Sequence, residues 1–159
     1  MKRVSIHRTL MDTARVWSKR STCSRANVGA VLAVGGQVIA AGYNGAPAGL
    51  PHCAHEKYDG TLLDPHIDFV DNKSHCNNAV HAEVNAVLNA AKRGQRTRGA
   101  AIYVTHYPCA RCAGLLINAG ISDVVYLKSY GDTTKAAEMF KAAYIDVRSL
   151  RQAERDDAA

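Results

Sequence analysis

Two short segments constrain this chain more than anything else in it: His81-Ala82-Glu83 and, further on, Pro108-Cys109-Ala110-Arg111-Cys112. One imidazole and two thiolates, from His81, Cys109 and Cys112, make the Cys2His donor set that holds a catalytic Zn2+ with its fourth position open. Any fold open to the chain must bring these segments together. Residues two apart on a helix point about 200° from each other, so His81 and Glu83 can share a site only beyond a helix end. The helix must then start close to His81, with Asn77 or Asn78 as its N-cap. Cys109 and Cys112 follow Pro108 on one face at the start of a second helix, where the dipole and the metal both favour the thiolate. Glu83 is left over as the candidate proton carrier. A redox role for the two cysteines would leave His81 and Glu83 without a function.

A chain of 159 residues fits one domain, 1–159, with a core of ordinary size. Twenty Lys and Arg against 14 Asp and Glu give a net charge of +6, which suits an anionic ligand such as a nucleotide or nucleic acid. No apolar run approaches the length of a membrane span, so the expected location is the cytoplasm. Five cysteines in such a protein read as metal ligands rather than disulfides, and the odd count agrees.

Ile6, Leu10, Ala14 and Trp17 recur at helical steps and predict a helix over 5–19 with Trp17 in the core. Apolar runs over 28–34 and 37–42 flank Gly35-Gly36 and predict a hairpin. A helix over 79–93 would turn Val80, Val84, Val87, Leu88 and Ala91 to the core and end at Gly94. Then come a strand over 101–105, the second zinc helix to Gly120, a strand over 123–127, a helix over 133–143 and a strand over 144–147. The polar tail after Leu150 is expected to fray. A helix between the last two strands permits their parallel pairing. The outcome is a mixed sheet covered by helices on both faces.

Between the hairpin and His81, the small-residue stretch 43–50 lets backbone approach a ligand closely, and 51–78 has no sustained periodicity. A structureless loop of that length needs something to fix it. Cys23, Cys53 and Cys76 remain after the catalytic assignment, and a histidine would complete a closed Cys3His site for a second, structural Zn2+. His75 is the first choice. Adjacent residues ligate one metal only with strain, so His52 and Cys76 stand as alternatives within this set.

H-x-E followed by P-C-x-x-C is the signature of zinc nucleobase deaminases. Joined to Cys23-Ser24-Arg25, Val28-Gly29-Ala30-Val31, Gly42-Tyr43-Asn44-Gly45-Ala46-Pro47-Ala48-Gly49 and His81-Ala82-Glu83-Val84-Asn85-Ala86, it resembles the deoxycytidylate (dCMP) deaminases. These include phage enzymes and related bacterial late-competence deaminases in the cytidine deaminase-like superfamily. The resemblance runs from about Cys23 to Tyr130. Its zinc pieces mark the superfamily, and the Gly-Tyr-Asn-Gly-Ala-Pro-Ala-Gly segment favours the dCMP branch over the tRNA adenosine deaminases. It implies a three-layer α/β/α sandwich with a mixed five-stranded sheet. It also implies that Asn44 bonds the sugar and that backbone near Ala82 and Cys109 borders the base. Gly42, Tyr43 and Gly45 would line a regulatory nucleotide site in members activated by dCTP and inhibited by dTTP. A homohexamer is implied too, as is a second zinc in an insertion that here holds Cys53, His75 and Cys76. One departure is His106-Tyr107 before Pro108, where many relatives carry a small residue next to the proline.

The implied reaction is hydrolysis of dCMP to dUMP and ammonia. A catalytic zinc makes water nucleophilic near neutral pH, and Glu83 would carry protons to ring N3 and to the departing amine. Arg25, Arg111 and Lys92 are phosphate candidates on charge grounds. Two other readings compete: a deaminase of a nucleoside or polynucleotide base, and a non-catalytic zinc-structured binding module. No arginine-rich arm or aromatic stacking run supports nucleic acid, and a structural site has no use for Glu83.

Overall fold

A computed structural model describes residues 3–23, 26–50, 52 and 79–157. The chain opens with α1 (Ile6–Ser18), capped by the Ser5 side chain, which accepts from the backbone N–H of Arg8. Next come β1 (Gly29–Val34) and β2 (Gln37–Tyr43). Gly35 and Gly36 join them with φ of 55° and 78°, the left-handed pair that a two-residue hairpin needs. After 79–81 the order is α2 (Ala82–Lys92), β3 (Ala101–His106), α3 (Ala110–Asn118), β4 (Asp123–Lys128), α4 (Thr134–Ala142), β5 (Asp146–Ser149) and α5 (Leu150–Asp156).

The five strands form one sheet in the order β2-β1-β3-β4-β5. β1 runs antiparallel to β2 and β3, whereas β3, β4 and β5 are mutually parallel. Alternation along the strands builds two cores. Leu32, Ile102, Val104 and Val124 face the layer of α2, α3 and α4, and Val31, Tyr103 and Val125 face α1 and α5. The expected α/β/α sandwich with a mixed five-stranded sheet is therefore observed.

Several local expectations are corrected. α1 buries His7, Leu10, Met11 and Ala14, a face rotated from the expected one, and leaves Trp17 37% exposed at the edge, stacked on Tyr43. The buried face of α2 is Ala82, Glu83, Ala86 and Ala90, while Leu88 is exposed. Gly42 explains this: a Cβ there would collide with the backbone of Ala82, Asn85 and Ala86, so the helix lies directly on β2 and only alanines fit between. Val84 and Val87 are left half-buried at the margins of that face, with Val87 still packed against the core. α2 also starts later than expected, at Ala82, with His81 itself in the N-cap position; Asn77 and Asn78 lie outside the described residues.

β5 begins two residues later than its apolar run suggested, at Asp146. α4 ends in a Schellman motif, with Tyr144 N–H donating to Lys141 O and Ile145 N–H to Phe140 O, and Tyr144 in the left-handed region at φ 56°. That motif consumes the first two residues expected in the strand. The tail after Leu150 is not frayed. Ser149 and Gln152 form a reciprocal capping box for α5, and Leu150 and Ala153 are buried against α1. Arg8 on α1 clamps Glu154 on α5 through two hydrogen bonds of 2.9 and 2.7 Å. The insertion expected over 51–78 lies outside the described residues apart from His52, which is exposed.

Candidate active site

The N-termini of α2 and α3 converge at the carboxyl end of β3. His81 and Cys109 both occupy N-cap positions with extended backbone, at φ −70°, ψ 154° and φ −72°, ψ 168°. Neither side chain caps its helix, although serine, threonine, asparagine and aspartate favour such positions because they do. Both instead point to a common centre. His81 Nδ1 lies 3.3 Å from Cys112 Sγ and 3.6 Å from Cys109 Sγ, and the three ligand atoms fall within 4.8 Å of one another. A tetrahedral zinc with Zn–S of about 2.3 Å and Zn–N of about 2.0 Å separates sulfur from nitrogen by about 3.5 Å, so the donor set fits the ion.

Being outside the helix also resolves the problem of His81 and Glu83. His81 is held there by an isolated bridge, in which Gly45 N–H donates to Val80 O at 3.1 Å and Val80 N–H to Gly45 O at 2.8 Å. Glu83, in the first turn of α2, is 4% exposed and reaches the Cys112 thiol. Burial raises its pKa above the ordinary carboxylate value, against its own backbone N–H and the nearby His81. The two thiols compete for charge. Cys109 is held down to about 3, first by the Cys112 thiol and also by His81, and Cys112 is pushed up by that same contact and by burial. A dication removes the conflict by binding both as thiolates.

His81, Glu83 and Cys109 line a cavity of about 630 Å3, a size suited to a small-molecule ligand. Asn44 and Ala82 are in its wall, as expected. The Asn44 side chain is largely committed to the fold: Oδ1 accepts from Val28 N–H and Ser21 Oγ–H, and Nδ2 donates to Ala26 O. One N–H of its amide is left for a ligand. Gly42, Tyr43 and Gly45 are outside this wall: Gly42 lies under α2, Tyr43 is stacked on Trp17 with its carbonyl accepting from Asn85, and Gly45 is in the bridge to Val80.

Among the phosphate candidates, Arg111 is exposed on α3 and absent from the wall, and Arg25 lies outside the described residues. Lys92 ends α2, ten residues beyond Ala82, which places it about 15 Å from the site. Of the residues assigned to a second zinc, Cys53, His75 and Cys76 lie outside the described residues, and Cys23 is a buried free thiol in the cavity wall. The sequence did not signal Tyr130, Gly131 and Asp132, which form the outer rim. Their only cue is position, in the loop beyond the carboxyl end of a parallel strand, where α/β folds collect ligand contacts.

Residues 4–128 match the family described as the cytidine and deoxycytidylate deaminase zinc-binding region. The chain belongs to this family. It is 41% identical over 150 residues to the ComE operon protein 2 of Bacillus subtilis, covering 94% of this chain and 74% of that protein. Deoxycytidylate deaminase of Enterobacteria phage T4 is 33% identical over 149 residues, covering 77% of each chain. Among solved structures, dCMP deaminase from cyanophage S-TIM5 in complex with dCMP and dUMP superposes with a TM-score of 0.74 at 28% identity, over 94% of this chain and 99% of that one. The fold is therefore cytidine deaminase-like, and its cofactor is Zn2+. Among the described residues, no helix is long and apolar enough to cross a membrane.

Proposed function

We propose that the protein deaminates dCMP hydrolytically to dUMP and ammonia, supplying a precursor of thymidylate. The observation that carries this reading is a buried carboxyl, Glu83, beside a three-ligand zinc site at the floor of a nucleotide-sized cavity. Family membership and the similarity to enzymes named for this substrate support it.

His81, Cys109 and Cys112 would hold the zinc, which supplies Lewis-acid activation of water at neutral pH. Glu83 accepts the proton of the water that attacks C4 and delivers it to ring N3. It then carries the second proton to the exocyclic amine, which leaves as ammonia while C4 becomes a carbonyl. The carboxyl thus ends as it began. A raised pKa suits this shuttle, because the group must give a proton back as readily as it takes one. The N–H of Asn44 left free by the loop faces the sugar, and backbone at Ala82 and Cys109 borders the base. Hexameric assembly and regulation by dCTP and dTTP belong to the same reading, and sizing the protein with and without these nucleotides tests both.

The deciding assay measures ammonia release from dCMP, CMP, deoxycytidine, dCTP and a single-stranded oligonucleotide side by side. dCMP is expected to give the highest kcat/KM. Faster turnover of the oligonucleotide or of deoxycytidine transfers the assignment to that substrate, and no turnover of any leaves a binding module.

A further inference from the structure

His106, at the end of β3 and two residues before Pro108, lies in the cavity wall. Its hydrogen bonding commits one ring nitrogen and leaves the other to the cavity. Thr105 is 4% exposed, and its hydroxyl accepts from Gly29 N–H at 3.1 Å. The same hydroxyl lies 3.0 Å from His106 Nδ1. That contact engages Nδ1, so Nε2 is the ring nitrogen left for a ligand, and it carries the proton in the tautomer whose Nδ1 accepts from Thr105.

The position of His106 along the cavity shows what that N–H meets. The reacting end is at Glu83, whereas the rim is at Tyr130, 64% exposed, whose ring meets the edge of His106 at 6.0 Å and 83°. Three extended residues span at most about 10 Å, so His106 stands within one nucleotide's length of Cys109. Lys128, paired with His106 across β3 and β4, adds positive charge beside it. Asp132, the carboxylate at the same rim, is turned toward the backbone N–H of Thr134 at 2.9 Å.

We infer that His106 determines specificity for the 5′-phosphate: its Nε2–H donates to a phosphate oxygen of the bound nucleotide, and Lys128 supplies charge behind it. This rests on the dCMP reading, and it gives the phosphate an anchor in the wall, where Arg111 and Lys92 are absent. A neutral imidazole N–H with a lysine nearby attracts a phosphate without the cost of burying a fixed cation when the site is empty. The partner charge arrives with the ligand.

Two substitutions separate this role from a structural one. His106→Asn keeps an acceptor for the Thr105 hydroxyl but removes the donor at Nε2; His106→Gln places an amide donor where Nε2 stood. The readout is the ratio of kcat/KM for dCMP to that for deoxycytidine, with zinc content and Tm confirming the fold. His106→Asn is expected to lower the ratio at least tenfold, through KM for dCMP, and His106→Gln to restore most of it. Lys128→Gln, on an exposed side chain, is expected to lower it about threefold and supplies the test should His106→Asn fail to fold. An unchanged ratio in His106→Asn, or equal ratios in the Asn and Gln variants, overturns the inference, as does an unchanged ratio in Lys128→Gln where the Asn variant does not fold. If the unsubstituted protein does not turn over dCMP at all, the parent reading fails instead.

Discussion

Glu83 is buried without a cationic side chain to pair with among the described residues that line the cavity, an expensive arrangement for a carboxylate. A chain selected only for stability would place an apolar residue there. Glu83→Gln preserves the volume and removes the proton, so turnover should fall by at least about 10²- to 10⁴-fold while zinc stays bound. Metal analysis beside single-turnover kinetics checks both halves, and near-normal rates would end the shuttle mechanism. The two N-caps make the same point. Positions that favour a capping hydroxyl or carboxamide are held by His81 and Cys109, whose side chains serve the centre rather than the helix. The metal ligands were legible in the sequence because their chemistry is carried by residue type and spacing alone. The rim at Tyr130–Asp132 was not, since its residues have no motif and acquire a role only when β4 is laid beside β3.

The helices and strands show where local pattern suffices and where packing overrides it. The Gly-Gly hairpin and the glycine-ended helices were readable because positive φ favours glycine so strongly. The buried faces of α1 and α2 were not, because hydrophobic periodicity assumes that the largest apolar residues go inward. On α2 the close approach to Gly42 inverts that rule. Gly42→Ala would force α2 off the sheet, costing about 1–3 kcal/mol of stability by overpacking and displacing Glu83. Thermal melts and assays of the same preparation should therefore fall together; a loss in melting temperature with full activity would show that α2 tolerates the shift. Tyr144 offers the opposite case, a non-glycine in the left-handed position of a Schellman motif and 97% exposed. Relief of roughly 1 kcal/mol of backbone strain by Tyr144→Gly should raise the melting temperature by about 2–4 °C, with activity unchanged. The tie between α1 and α5 predicts an acid effect. Its hydrogen bond with Arg8 lowers the Glu154 pKa, so its contribution is complete above the ordinary glutamate value and is lost as pH falls through the lowered one. The difference in melting temperature between the unsubstituted protein and Glu154→Gln should be largest near neutrality and close in acid, and high salt should shrink it at every pH.

At the scale of the whole molecule, the zinc site joins parts of the chain that the sheet alone connects only indirectly. His81 comes from the start of α2, which lies on β2 at one edge, and Cys109 and Cys112 come from the turn after β3 in the middle. A bound ion therefore crosslinks the edge hairpin to the parallel half of the sheet. An ion that binds the folded state contributes about 4 kcal/mol at a thousandfold excess over its Kd, and each kcal/mol moves the melting temperature of a domain this size by about 2–4 °C. Exhaustive chelation should thus lower the melting temperature by roughly 10 °C and abolish turnover, with both restored by added Zn2+. Cys112→Ser removes a ligand while keeping the fold's shape, and its melting temperature should respond far less to chelator. Counting zinc in the same preparations separates a second ion from the first: the sequence reading of Cys23 as a ligand expects two per chain, falling to one in Cys23→Ser, with the catalytic ion retained. A melting temperature and activity both indifferent to chelator would overturn the metal assignment and, with it, the role given to Glu83.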